Sequence, residues 1–242
     1  MISGLKWSTF GASVRGPSHL MSAQPNQDAW LGFETGSGLG VVVSDGLGSK
    51  PFADIGSEAA CLAVKRAVQD VSVLRAAGQS PQFQQRVHEK WIELVRPFNP
   101  QECSATCLYA FVTSEGVINV GSLGDGCIGV LKESEEVVVL AVDKSDSFAN
   151  VTQCLGTNPA VDSWRTLKFH ESECRAVILC TDGVSADLND IEGFVRNFVL
   201  SLSPLASHSA SRHTAEVLEQ WPVMGHSDDK TIACLHRTLL HD

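Results

Sequence analysis

The sequence predicts an α+β fold with mostly antiparallel sheets and helices packed outside them. The prediction rests on the order of the hydrophobic patterns: strands, two helices, more strands, two helices and a last strand. It also rests on the glycine turns between the early strands, which are typical of antiparallel connections. With 242 residues, 43% hydrophobic and 19% charged, we expect a single globular domain over residues 1–242.

The first half of the chain contains three predicted strands and two predicted helices. The strands are 7–13, 29–33 and 39–44. The run Val41-Val42-Val43 indicates a strand that is buried on both faces. Apolar residues then recur at three- and four-residue spacing up to position 71, which predicts a helix that Ser57 could cap. A second apolar stripe over 83–98 predicts another helix, which Pro97 would end.

From Ala105 the hydrophobic period changes to two, which predicts strands again. Four of these strands are expected to form an antiparallel meander: 105–113, 117–121, 127–131 and 137–142. The polar stretch 143–162 is expected to be an excursion from that meander. The remaining predicted elements are strands at 164–169 and 175–181, helices near 191–202 and 209–221, and a strand at 231–235.

Composition excludes several classes of protein. The formal net charge of −10 argues against nucleic-acid binding, which needs a basic face. The eight cysteines lie mostly in apolar runs without paired Cys-x-x-Cys motifs, so we expect core packing rather than a zinc site or a disulfide framework. No secretory signal is present, and no apolar run approaches the roughly 20 residues that span a bilayer. We therefore expect a cytoplasmic protein with no membrane segment.

Aspartates stand at the ends of four predicted strands. Asp45 and Asp182 each follow a strand and precede a glycine, whereas Asp28 and Asp228 lie just before strands. A single Asp-Gly pair is an ordinary turn signal. Several carboxylates that converge at buried strand ends would repel one another unless a hard cation neutralised them. The set therefore indicates magnesium or manganese held by oxygen ligands.

Seven short segments carry a resemblance to a known family, in that family's order and over nearly the whole chain. They are 26–29 (NQDA), 43–48 (VSDGLG), 56–60 (GSEAA), 104–106 (SAT), 120–126 (VGSLGDG), 179–184 (LCTDGV) and 228–231 (DDKT). The chain resembles the type 2C metal-dependent protein phosphatases, and among them a compact bacterial branch. Six or seven motifs at their expected strand and helix ends are far more specific than any one of them.

The resemblance implies a four-layer α-β-β-α sandwich, two mostly antiparallel sheets flanked by helices. It implies hydrolysis of phosphoserine or phosphothreonine on proteins by a water activated at a centre of two Mn²⁺ or Mg²⁺ ions, with a weaker third ion. The partner would be a phosphorylated protein substrate, paired with a serine/threonine kinase. The implied metal-binding residues are Asp28, Asp45, Gly46, Asp125, Asp182 and Asp228, of which Asp45 and Asp182 also count as catalytic.

Three positions depart from the family pattern. Ala23 replaces an arginine, Leu47 replaces a histidine, and Ala186 replaces an acid, with Asp187 one place further on. The groups that bind phosphate and protonate the leaving group are therefore open. Arg15 and His19 are the candidates for binding phosphate, and His19 is also the candidate catalytic acid. The alternative is a solvent-facing arginine and an incidental loop histidine.

Two other functions compete with the phosphatase hypothesis. A pseudophosphatase would keep the fold and bind a phosphoprotein or a kinase without turnover, which Ala23 and Ala186 leave open. A metal-dependent nuclease is disfavoured by the net charge and by the motif order. A cysteine-nucleophile phosphatase is excluded by spacing, since Arg175 directly follows Cys174 instead of standing six places after it.

Overall fold

The computed structural model describes residues 5–70, 80–141, 152–158 and 161–239. Within these residues, two five-stranded antiparallel sheets have the orders β1-β10-β9-β6-β7 and β2-β3-β4-β5-β8. The strands are β1 (Leu5–Val14), β2 (Asp28–Thr35), β3 (Gly38–Asp45), β4 (Cys107–Thr113), β5 (Val117–Leu123), β6 (Cys127–Lys132), β7 (Val137–Leu140), β8 (Arg165–His170), β9 (Cys174–Cys180) and β10 (Lys230–Leu239).

The described residues include six α-helices, and the four longest cover the outer faces of the two sheets. The six helices are α1 (Pro17–Met21), α2 (Ala53–Gln69), α3 (Ser80–Leu94), α4 (Asp182–Ser185), α5 (Ile191–Leu202) and α6 (Ser207–Glu219). Residues of α2 and α3 form an apolar core with the sheet that contains β2, β3, β4, β5 and β8. Residues of α5 and α6 form another with the sheet that contains β1, β10, β9, β6 and β7. The predicted four-layer α-β-β-α sandwich is confirmed.

A third apolar layer joins the two sheets face to face. Val41 and Val43 of β3 lie in this layer together with Leu179 of β9. Val42 points the other way, into the core that contains Trp91 of α3. Successive side chains of a strand alternate between its faces, so this arrangement accounts for the continuous valine run. A strand covered on both sides can carry apolar residues at every position.

The predicted meander is wrong in one respect. Strands β4 and β5 pair in one sheet, whereas β6 and β7 belong to the other sheet, where β6 pairs with β9. The crossing takes place at Gly124, whose φ of +120° is a conformation that residues with a β-carbon rarely adopt. Strand periodicity predicts that a strand exists, but it carries no information about which sheet the strand joins.

Two local details also differ from the sequence prediction. Helix α2 begins at Ala53 with Phe52 as its N-cap, so Ser57 lies inside the helix and its hydroxyl donates to the Asp54 carbonyl instead. The short helices α1 and α4 were not predicted, because five and four residues are too few to show a period. Of the predicted excursion over 143–162, residues 143–151 and 159–160 lie outside the described residues.

The cysteines lie mainly in the core, as predicted. Seven are buried, and Cys154 is partly exposed. In the parts of the chain that the structure describes, no helix combines the length and the apolar character needed to cross a bilayer.

Candidate metal centre

The ends of strands from both sheets bring three aspartates together. Asp45 ends β3, Asp182 begins α4 two residues after the end of β9, and Asp125 lies in the crossing between β5 and β6. One carboxylate oxygen from each of the three lies within 4.8 Å of the others. Three acids that are distant in sequence therefore share a space the size of one cation with its ligands.

A cavity of about 210 Å³ opens over these carboxylates. It is lined by His19, Gln27, Asp45, Gly46, Leu47, Gly48, Asp125, Thr152, Asp182 and Asp228. Five of the six predicted metal-binding positions are in this lining, as is His19. No lysine or arginine is among the described residues that line the cavity.

Two predicted site residues lie outside the lining. Asp28 sits behind Asp45, because the two residues are directly opposed in the β2–β3 pair. Arg15 is turned away, and its guanidinium donates to the Gln24 carbonyl oxygen at 3.1 Å on the surface.

Asp28 is a buried carboxyl held by two hydroxyls. Thr181 and Thr231 each donate a hydrogen bond of 2.8 Å to its Oδ2 atom. Burial raises the pKa of Asp28 to about 8, and these two hydrogen bonds oppose the rise only in part. The neighbouring charges of Asp229 and Asp182 contribute to this rise of the pKa.

Two of the acids that line the cavity, Asp45 and Asp182, also have raised pKa values. Burial raises the pKa of Asp45 well above its usual range, and the charges of Asp28 and Asp182 add to the effect. Burial raises the pKa of Asp182 to about 6, with a further contribution from Asp125. Desolvated like charges at this separation favour protonation unless a cation neutralises them.

The segment 104–106 braces the end of β3. The Asp45 amide donates to Thr106 Oγ1 at 2.9 Å, and the Thr106 amide donates back to the Asp45 carbonyl at 2.7 Å. Ser44 Oγ donates to the Thr106 carbonyl at 2.6 Å. These bonds hold the Asp45 backbone from the side opposite β2, which accounts for a Ser-Ala-Thr motif at a distance from the acids in sequence.

The donor set fits a hard divalent cation. The described lining residues offer carboxylate, amide, hydroxyl and backbone oxygens and the imidazole of His19, and none of them is a cysteine. Two buried acceptors, Asp125 Oδ1 and Gln27 Oε1, have no hydrogen-bond partner among the described residues. A buried oxygen without a donor costs free energy that a bound cation or its water would recover.

The sequence analysis assigned no role to two lining residues, Gln27 and Thr152, and left the role of Asp187 open. Gln27 belongs to the segment 26–29, whose sequence indicates the family but no function for the Gln27 amide. Thr152 donates to Asp125 Oδ2 at 2.8 Å, and nothing in its local sequence indicates this. Asp187, next to Ala186, accepts a 2.8 Å bond from Trp221 Nε1 and is not part of the lining.

Solved structures with the same architecture include several bacterial phosphatases. The chain is similar to a bacterial serine phosphatase (TM-score 0.69, 14% identity, 98% of this chain and 99% of that chain). It is also similar to RsbX in complex with magnesium (TM-score 0.61, 16% identity, 96% of each chain). A third is the serine/threonine phosphatase Stp1 from Staphylococcus aureus (TM-score 0.65, 14% identity, 98% of this chain and 97% of that chain). These similarities show that the chain has the fold found in bacterial serine phosphatases.

The sequence comparison is more specific about the family. The profile of the family described as protein phosphatase 2C matches residues 15–221, which is most of the chain. The chain therefore belongs to the protein phosphatase 2C family. No curated protein matches it.

Proposed function

We propose that the protein hydrolyses phosphoserine and phosphothreonine on protein substrates at a dinuclear Mn²⁺ or Mg²⁺ centre. The observation that carries the proposal is the cluster of Asp45, Asp125 and Asp182, whose oxygens lie within 4.8 Å of one another in a chain of this family. Both sheets supply residues to the cluster and to one shared apolar layer. We therefore also propose that residues 1–242 act as a single phosphatase domain.

Each acid has a proposed part in holding the cations. Asp45 would contact both ions, with the Gly46 carbonyl on one and with Asp182 and Asp228 on the other. Asp125 would serve a weaker third ion, and Asp28 would act from behind Asp45. When bound, such ions supply Lewis acidity, which lowers the pKa of a water and neutralises charge on the phosphate.

The chain's own residues supply the remaining chemistry. His19 lines the same cavity as Asp228 and is the candidate proton donor to the seryl or threonyl oxygen that leaves. Arg15 would reach the phosphate only if its bond to the Gln24 carbonyl were exchanged for one to substrate. We propose a protein kinase that phosphorylates the same substrate as the counterpart of this activity.

Release of phosphate from a phosphothreonine peptide in the presence of Mn²⁺ tests the proposal. We expect wild-type protein to release phosphate and Asp45→Asn to release none, since the substitution removes a charge that the cations need. Asp190→Asn is the matched control: Asp190 caps α5 through the Gly193 amide at 2.8 Å, and asparagine caps equally well. A folded Asp45→Asn protein with near-normal turnover would contradict the two-metal mechanism.

The same measurement separates the pseudophosphatase alternative. That alternative is favoured because none of the described lining residues is a lysine or an arginine that could bind the phosphate group. A pseudophosphatase would bind the phosphopeptide, detectable by calorimetry, without releasing phosphate under any metal condition.

A further inference from the structure

Asp229 ties the segment before β2 to the start of β10. Its side chain is 2% exposed and accepts three hydrogen bonds, all from the segment 16–27. Oδ1 accepts from the Gly16 amide at 2.6 Å. Oδ2 accepts from the Gln27 amide at 2.6 Å and lies 2.8 Å from His19 Nδ1. One buried carboxylate therefore orients a histidine and both ends of the loop that carries it.

This contact determines which nitrogen of His19 faces the cavity. Both oxygens of Asp229 accept hydrogen bonds from backbone amides, those of Gly16 and Gln27, so the side chain is placed as an acceptor and Nδ1 of His19 as the donor of the third bond. His19 lines the cavity and its side chain is 15% exposed. With Nδ1 committed to Asp229, Nε2 is the nitrogen that remains to exchange a proton with a substrate.

The two aspartates that directly precede β10, Asp228 and Asp229, face in different directions. Asp228 lines the cavity, and its Oδ1 accepts from the Asp229 amide at 2.9 Å. The Asp229 side chain leaves in another direction and is not in the lining. Successive side chains near a strand point to opposite sides, which lets one acid face the cavity while the next faces the loop.

We propose that Asp229 is a positioning residue that holds His19 in the form that protonates the leaving group. The inference rests on the proposed function. Water adds to phosphorus, the bond from phosphorus to the seryl oxygen breaks, and His19 Nε2–H gives its proton to that oxygen. The proton that the water loses restores the imidazolium through solvent, so alcohol and inorganic phosphate are the products. The bond from Nδ1 to Asp229 holds the ring in one orientation and leaves Nε2 for the transfer, as the acid of a catalytic triad does for its histidine.

Leaving-group dependence tests the kinetic part. His19→Ala and Asp229→Asn should each slow release from a phosphothreonine peptide, by about 10²- to 10⁴-fold for His19→Ala. Both should change p-nitrophenyl phosphate turnover by less than about threefold, because nitrophenolate leaves without a proton. The double variant should be no slower than His19→Ala, since Asp229 acts through that residue. Equal losses on both substrates, or additive losses in the double variant, would overturn the proposal.

A matched control removes an equivalent acid elsewhere. Glu171 accepts a 2.8 Å bond from Trp7 Nε1 beside Gly38, which is the end of β3 opposite to Asp45. Glu171→Gln loses one charge and one acceptor, as Asp229→Asn does, and should leave the ratio of the two substrate rates unchanged.

A spectroscopic readout keeps the inference separate from the activity. Long-range ¹H–¹⁵N correlation spectra of the Mg²⁺-loaded protein, assigned with His19→Ala, report which ring nitrogen carries the proton. We expect protonated Nδ1 in wild-type protein and loss of that preference in Asp229→Asn. Wild-type protein with Nδ1 unprotonated would refute the inference even if Asp229→Asn did not fold. Wild-type protein that releases no phosphate would refute the proposed function alone.

Discussion

His236 is a histidine that lies in the apolar core of the protein. The side chain is 0% exposed, both ring nitrogens lack a partner among the described residues, and the ring packs edge-on against Phe10 with centroids 5.0 Å apart. Burial lowers the pKa of His236 to about 4. The folded protein therefore keeps this imidazole neutral at a pH where an unfolded chain binds a proton.

The free energy of unfolding should consequently fall on the acid side. Between the unfolded pKa of about 6.5 and the folded value of about 4, the unfolded state binds more protons, so stability decreases as the pH falls. The loss attributable to His236 should be about 3 kcal/mol. Urea unfolding at several pH values, with chelator present throughout, measures it.

Replacing His236 by leucine, which has a similar volume and does not titrate, tests whether the acid-side loss of stability comes from this residue. His236→Leu should reduce the acid-side loss by that amount relative to wild type. His213→Leu should not, because the His213 side chain is 52% exposed. Parallel pH profiles for wild type and His236→Leu would show that His236 does not titrate as its burial indicates.

At the level of single residues, the sequence could predict the acids but not what supports them. Asp28, Asp45 and Asp182 were recognisable because each stands beside a strand, and strand ends are visible in the hydrophobic pattern. Asp229 was visible only as part of a motif, since its three partners are 202 to 213 residues away. Hydrogen bonds over such separations leave no local pattern.

Among the connecting elements, the segment that carries Asp228 and Asp229 is packed between two glycines. A β-carbon on Gly16 would meet the backbone of Asp228, and one on Gly183 would meet the carbonyl oxygen of Asp229. These glycines are needed for close approach of two backbones. The position of Asp228 in the cavity therefore depends on the absence of two side chains.

Gly183→Ala should displace Asp228 and Asp229 and weaken both catalysis and metal binding. A displacement near 1 Å at a catalytic site can cost about 10²-fold in rate, and we expect a loss in kcat of that order. Calorimetric titration with Mn²⁺ should show reduced affinity. Gly36→Ala is the control, since no atom lies within 4 Å of a β-carbon there. Unchanged Mn²⁺ affinity in Gly183→Ala would contradict the packing argument.

Helices and strands with a strong hydrophobic period were predicted well, but the strands with which each strand pairs were not. The helix predicted near 191–202 is α5, which has these bounds and whose N-cap in the structure is Asp190. Strand β6 was also predicted, yet it was placed in the wrong sheet. The choice of sheet depends on the backbone at Gly124 and on the long-range pairing with β9, and a hydrophobic period records neither.

For the whole molecule, cation binding should be coupled to stability. The raised pKa values of Asp45 and Asp182 show that burial and mutual repulsion disfavour their charged forms without a cation. Mg²⁺ at 100 times its dissociation constant should add about 2.7 kcal/mol, which corresponds to a rise of about 5–10 °C in Tm. Differential scanning calorimetry with and without chelator measures this rise.

The same samples give the activity. Chelator should abolish phosphate release, and Mn²⁺ or Mg²⁺ should restore it better than zinc, because the ligands are oxygens. Asp45→Asn should lose the rise in Tm, whereas Asp190→Asn should keep it. Full activity after exhaustive chelation would contradict a metal-dependent mechanism.

The order β1-β10-β9 has a consequence for how the protein is made. Among the described strands, β1 lies at the edge of its sheet and pairs with β10 alone, the last described strand, from Leu5 to Val14. On the ribosome, β1 must wait without a sheet partner until more than 200 later residues have been synthesised. Asp228 and Asp229 arrive at the same moment as that partner. Translation thus completes the pairing of β1 and brings Asp228 to the cavity in the same step.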